Sequence, residues 1–196
     1  MSRILLTAFG PYQSWQENAS WLTLVELVKN LPENPEITTR RYAVDLDETK
    51  RQLAEDLALK FDYAIHLGQA PGSTTLRLEN IAINVYEDDQ QRIPIDPNGP
   101  LAYECTLPLQ EWAKRLGEVG IPTKLSDHAG TYLCNALFYL SNHIARTEGL
   151  ATQSVFIHVP ITTGQAIQSL DIPSMPPQTG ASAILRIIGW LMEDQL

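Results

Sequence analysis

Three side chains in this sequence have the types needed for acyl transfer: the thiol of Cys134, the imidazole of His158 and the carboxylate of Glu79. A cysteine hydrolase needs a sulfur nucleophile, an imidazole to share its proton and later protonate the leaving amine, and a third group to hold that ring. Cys134 stands in Ala129-Gly130-Thr131-Tyr132-Leu133-Cys134-Asn135-Ala136, where small residues lead into an apolar period made by Leu133, Ala136, Leu137, Leu140 and Ile144. That period predicts a helix with Thr131 as its N-cap and Cys134 in its first turn. There, unpaired backbone N–H groups and the positive end of the helix dipole favour a thiolate. The plain alternative is a small buried hydrophobe. His158 lies in Val155-Phe156-Ile157-His158-Val159-Pro160, near the carboxyl end of a strand, where open α/β sheets place their crevices. Taken one at a time, His158 reads equally as a hydrogen-bonded core histidine and Glu79 as a surface carboxylate.

The elements that must position these groups alternate. Apolar runs at Arg3 to Phe9, Tyr63 to Leu67 and Ser154 to Val159 predict buried strands. Between them, a helix after Asn18 should bury Trp21, Leu22, Val25 and Val28, and one after Asp45 or Asp47 should bury Leu53, Ala54 and Leu57. A third helix carries Leu109, Trp112, Ala113 and Leu116, the Cys134 helix is the fourth, and Ile184, Leu185, Ile188 and Leu191 mark a closing helix after Gly180. Such alternation predicts a mostly parallel sheet covered on both faces. From Thr75 to Tyr86 the apolar positions change parity at Glu79-Asn80, the mark of a bulge or a bend between two strand segments. Glu87 to Gly99, with Pro94 and Pro97, is long enough to suggest a cover or an interface, and Asp171 to Gly180 reads as a stiff connector.

Composition narrows the function. The 196 residues suit one domain, 1–196, and include no uninterrupted apolar run of the ~20 residues a membrane helix needs. Met1-Ser2-Arg3 runs straight into an apolar strand without a secretory leader, and two cysteines make no disulfide framework, so the cytoplasm is expected. Cys105 reads as incidental. A net charge of -9 offers no basic patch for nucleic acid. The four histidines show no metal-ligand spacing, and no metal is expected. Asn18-Ala19-Ser20 fits a glycosylation acceptor, but Asn18 reads as a helix cap. Gly68-Gln69-Ala70-Pro71-Gly72 lacks the Lys and Ser/Thr of a phosphate-binding loop.

Four blocks in order resemble the pyroglutamyl peptidase I family of cysteine peptidases. They are Leu5 to Tyr12 with Asn18-Ala19-Ser20-Trp21 behind it; Gly68-Gln69-Ala70-Pro71-Gly72 with Leu78-Glu79-Asn80-Ile81-Ala82-Ile83-Asn84; Ala129 to Asn135; and Phe156-Ile157-His158-Val159-Pro160. The resemblance implies a three-layer α/β/α, phosphorylase/hydrolase-like fold, with Cys134 as nucleophile, His158 as acid and base, and Glu79 orienting His158. It implies that Phe9 and Tyr12 enclose the lactam ring of pyroglutamate, that Gln69 binds its polar atoms, and that Tyr132 and Leu133 line the same cavity. Arg92, in Arg92-Ile93-Pro94, resembles a family arginine that shapes the site. No cofactor is implied, small pyroglutamyl peptides are the expected substrates, and the family's tetramers make a homo-oligomer an expectation. Ala8 and Gln13-Ser14 depart from family glycines, Tyr12 replaces a phenylalanine, and Val85 to Arg92 is longer than usual. These departures keep open a protein on the same scaffold that binds lactams or peptide ends without cleaving them, and an amidase acting on another small acyl group.

Overall fold

The computed structural model describes residues 2–167 and 171–193; Met1, where the amino-terminal reading begins, lies outside them. The described elements, in chain order, are β1 (Arg3–Phe9), α1 (Ala19–Val28), β2 (Glu36–Tyr42), α2 (Leu46–Leu57), β3 (Tyr63–Gln69), β4 (Leu76–Glu79), β5 (Ile81–Ile83), β6 (Tyr86–Glu87), β7 (Arg92–Ile93), β8 (Ala102–Glu104), α3 (Leu109–Glu118), β9 (Thr123–Ser126), α4 (Leu133–Thr147), β10 (Gln153–Val159), α5 (Thr163–Ala166) and α6 (Pro177–Glu193).

Six strands form the central sheet in the order β2-β1-β3-β10-β4-β9. Every neighbouring pair is parallel except β10 with β4. The central strands are continuous apolar runs because helices cover both faces. On one face α1 packs against α6, and on the other α4 packs against β3, β10 and α2. Strand alternation separates the two along β10: Val159 lies beside Gly180 of α6, whereas His158 points to the face of α4. Gly180 allows the close crossing of α6 on α1, since a Cβ there would stand 3.0 Å from Thr23 Cγ2. Two small pairings, β5 with β8 and β6 with β7, lie outside this sheet.

The parity change at Glu79-Asn80 is a corner: β4 belongs to the central sheet, and after Asn80 the chain turns into β5. Asn18 caps α1, its Oδ1 accepting from Ser20 N at 3.1 Å. The buried face of α1 corrects the sequence expectation, being Ala19, Ser20, Thr23, Leu24 and Leu27, while Val25 and Val28 are exposed. Ser20 goes inward because its hydroxyl accepts from Phe9 N at 3.1 Å and donates to Asn18 Oδ1 at 2.8 Å. On α2, capped by Asp45, Leu53 and Leu57 are buried as expected, but Ala54 is exposed and Asp56 is buried. The Asp56 carboxylate is held there by Tyr42 Oη at 2.8 Å and Arg40 Nε at 2.8 Å. Strands β2 and β9 were not expected, and α6 begins at Pro177, so the end of the supposed connector is helical. Among the described residues no helix is long and apolar enough to cross a membrane.

Candidate active site

The register of the sheet gathers one face at the carboxyl ends of its central strands. His158 lies opposite Gly68, Phe156 opposite His66, and Thr7 opposite His66, so Phe9, Gly68 and His158 share the face covered by α4. Helix α4 enters this face at Tyr132, whose side chain makes no bond to the first turn. The predicted cap, Thr131, is therefore one residue early, but Cys134 does fall in that turn, with backbone N–H groups free of a side-chain cap. Its sulfur hangs directly over Gly68: a Cβ there would stand 2.9 Å from Sγ and 2.7 Å from the Phe156 ring. Glycine is what lets the thiol sit on the strand.

His158 is nearly sealed, and Glu79 is fully buried. His158 Nδ1 stands 2.7 Å from Glu79 Oε1, and a carboxylate only accepts, so Nδ1 donates and Nε2 is left for the sulfur. The antiparallel pairing of β4 with β10 sets this geometry, because it places Glu79 opposite Phe156, two residues deeper than His158. The carboxylate thus holds the ring from within the protein. Phe156 packs on that ring with centroids 4.8 Å apart. Burial pulls the imidazole's pKa down, but Cys134 and then Glu79 favour its charged form and together hold it above the usual histidine value. Among the described residues Glu79 Oε2 is buried without a hydrogen-bond partner, while Oε1 is bonded to His158.

Beside the sulfur lies a cavity with about 450 Å³ of empty space, its open mouth included. Phe9, Tyr12, Gln69, Tyr132, Leu133 and Cys134 all line it. Gln13, Trp15, Asn18, Val44 and Pro71 complete walls that are mostly apolar. The Tyr132 ring stands between Tyr12, 5.5 Å away, and Tyr86, 5.6 Å away, which ties the turn after β1 and the hairpin of β6 and β7 to the entrance of α4. That turn is closed by Trp15 N donating to Tyr12 O at 3.0 Å, and Gln13 takes φ +51°, a left-handed backbone that favours glycine. Gln69 Oε1 accepts from Ala19 N at 2.7 Å and from Gln165 Nε2 at 2.9 Å.

Arg92 is not brought to the cavity. It is exposed on β7, with its guanidinium on Glu87 at 2.6 Å. The longer segment before it forms a turn in which Asp88 Oδ1 accepts from Gln90 N and Gln91 N. Cys105 is buried, donates to Ser154 O at 3.3 Å and is pushed up to about 11 by burial. Among the described residues no three His, Cys, Asp or Glu side chains are grouped to hold a metal ion. Gln165 escaped the sequence reading, although Thr162-Thr163-Gly164-Gln165 has the spacing of a capping box, which the structure contains.

A thiol at a helix entrance, backed by an imidazole and a buried carboxylate on a mostly parallel α/β sheet, defines a thiol-dependent hydrolase. Residues 2–191 match the model of the family described as pyroglutamyl peptidase. The chain belongs to that family. It is 34% identical over 184 residues to the pyrrolidone-carboxylate peptidase of Pyrococcus furiosus, covering 89% of this chain and 88% of the relative. It is 34% identical over 200 residues to that of Clavibacter michiganensis subsp. michiganensis, covering 96% and 92%. The crystal structure of the pyrrolidone carboxyl peptidase from Fervidobacterium islandicum AW-1 superposes with a TM-score of 0.93 at 29% identity, covering 98% of this chain and 99% of that one.

Proposed function

We propose that this protein is a cysteine omega-peptidase that hydrolyses the amide bond following an amino-terminal pyroglutamyl residue. The observation that carries the reading is the 2.7 Å contact of His158 with buried Glu79, set behind Cys134 at the edge of the apolar cavity. In this reading the lactam ring lies among Phe9, Tyr12 and Tyr132, flat apolar walls suited to a small uncharged ring. Ala19 N and Gln165 Nε2 occupy Gln69 Oε1, so its Nε2 is the atom left to donate to the lactam carbonyl. Proline has no ring carbonyl and would leave that donor unpaired.

The Cys134 sulfur, its proton held by His158 Nε2, attacks the pyroglutamyl carbonyl carbon. Backbone N–H groups of the first turn of α4 stabilise the oxyanion. Collapse breaks the C–N bond as His158 returns the proton to the departing amine, leaving a thioester. Water, deprotonated by His158, then attacks the thioester; pyroglutamate leaves and the sulfur recovers its proton. Glu79 stabilises the imidazolium in both halves. The reading includes a single-domain cytoplasmic enzyme with small peptides as substrates, and it is supported by one continuous hydrophobic core and by a net charge of -9 that disfavours nucleic acid.

The test is hydrolysis of pyroglutamyl, prolyl and glutamyl amides of a fluorogenic coumarin by the wild type and by Cys134→Ser. Turnover of the pyroglutamyl amide alone, abolished in the variant, is expected. Equal rates in the two proteins would remove the sulfur from the chemistry.

A further inference from the structure

Short helix α5 carries a side chain that none of the assigned roles uses. Gln165 Oε1 accepts from Thr162 N at 2.8 Å, and a backbone N–H can only donate. At its other end Gln165 Nε2 donates to Glu17 O at 2.9 Å, and a carbonyl can only accept. Two one-way backbone groups therefore dictate which end of this amide is nitrogen. The same Nε2 reaches Gln69 Oε1 at 2.9 Å, and Ala19 N meets that oxygen from the other side at 2.7 Å. Gln69 is thereby fixed with its oxygen engaged twice and its Nε2 left over. Gln165 is absent from the cavity wall, whereas Gln69 is part of it.

We propose that Gln165 is a positioning residue for ring recognition: it locks the Gln69 amide so that the cavity presents a donor and selects ligands with a ring carbonyl. The inference rests on the proposed pyroglutamyl specificity and adds the source of its polarity. Without Gln165 the Gln69 oxygen keeps one partner, Ala19 N, which still holds the oxygen end, but the amide swings about that single bond and no longer aims its Nε2 firmly into the cavity. A donor held less firmly makes a weaker hydrogen bond to a lactam carbonyl. Loss of one hydrogen bond of ~1–1.5 kcal/mol corresponds to about 10-fold in binding.

The experiment compares wild type, Gln165→Leu and Gln165→Met. Three readouts are used: kcat and KM on the pyroglutamyl coumarin amide, inhibition by 2-pyrrolidinone, and the rate of Cys134 alkylation by iodoacetamide. The variants should raise KM and weaken 2-pyrrolidinone inhibition about 10-fold, with kcat within about 2-fold and alkylation unchanged. Unchanged KM and inhibition overturn the proposal, and so does a fall in kcat and alkylation with KM constant, which would mark a general loosening of the site. If neither variant folds, ¹⁵N spectra of the wild type decide. Titration with 2-pyrrolidinone should move the Gln69 side-chain NH₂ signal more than that of Gln165, and the reverse order refutes the idea. A wild type inactive on the pyroglutamyl amide instead refutes the functional reading, whereas an active wild type with indifferent variants refutes only the role of Gln165.

Discussion

Replacing Gly68 by alanine adds one methyl group beneath the Cys134 thiol, and its consequence follows from two distances. The new carbon would lie 2.9 Å from Cys134 Sγ and 2.7 Å from Phe156 ring carbons. Favourable contacts of this kind lie near ~3.5–4.0 Å, so the sulfur or the strand must yield by roughly 0.6–1.1 Å. Overpacking of a tight site costs about 1–3 kcal/mol, while alanine recovers ~0.4–1 kcal/mol by restricting the unfolded chain, so a net loss of about 1–2 kcal/mol is expected. The catalytic effect should be larger. A 1 Å misplacement of a reacting group costs ~100-fold, equivalent to about 2.7 kcal/mol of activation free energy. Gly180→Ala is the control, because its Cβ would meet Thr23 Cγ2 at 3.0 Å on the opposite face. It should destabilise without lowering kcat/KM. The assay pairs urea unfolding with kcat/KM on the pyroglutamyl amide for both variants. A folded Gly68→Ala enzyme with wild-type kcat/KM would refute the claim that the sulfur rests on this glycine.

Glu79→Gln keeps the shape of the carboxylate but removes the charge that helps raise His158 to about 9. The kcat/KM should fall about 100-fold, and the alkaline limb of its pH profile should move to lower pH; an unmoved limb would show that Glu79 does not act through His158. His66 tests electrostatics away from the chemistry. Its ring nitrogens lie 2.8 Å from Thr7 Oγ1 and 2.9 Å from Ser141 Oγ, and burial pushes it from the ordinary 6.5 down to about 3. Between those values the unfolded chain takes a proton that the native chain refuses. Stability therefore rises with pH across that window, by at most about 5 kcal/mol for 3.5 pH units at ~1.36 kcal/mol each, and is fully present above pH 6.5. Urea midpoints from pH 4 to 7 should rise less steeply for His66→Gln than for wild type, and parallel slopes would dismiss the assignment.

What the sequence made legible was what burial makes regular. Central strands β1, β3 and β10 read as apolar runs because both of their faces are covered, and the parity change at Glu79-Asn80 located the corner after β4. Edge strand β2, Glu-Ile-Thr-Thr-Arg-Arg-Tyr, has no apolar period because much of it meets solvent. The inward face of α1 was misread because Ser20 and Thr23 are buried by a hydrogen bond and by a close approach to Gly180, neither of which leaves a hydropathy signal. The cavity-lining residues Phe9, Tyr12, Gln69, Tyr132 and Leu133 were anticipated through the resemblance, and Arg92 in the same way was expected at the site but stands away from it on an exposed hairpin. Gln165 was missed because its importance lies in two hydrogen bonds to segments far apart in the chain, to Glu17 O and to Gln69 Oε1.

The reversal of β4 against its neighbour has a last consequence, for the durability of the protein. Because the carboxylate lies deeper than the ring, and the ring lies beneath the helix entrance, a reagent arriving from solvent meets only one member of the trio, the half-buried sulfur. Within the trio, carboxyl- and imidazole-directed reagents have little to grip, while peroxide and soft electrophiles reach the sulfur. Damage at that atom is reversible by thiols as long as oxidation stops at the sulfenic acid.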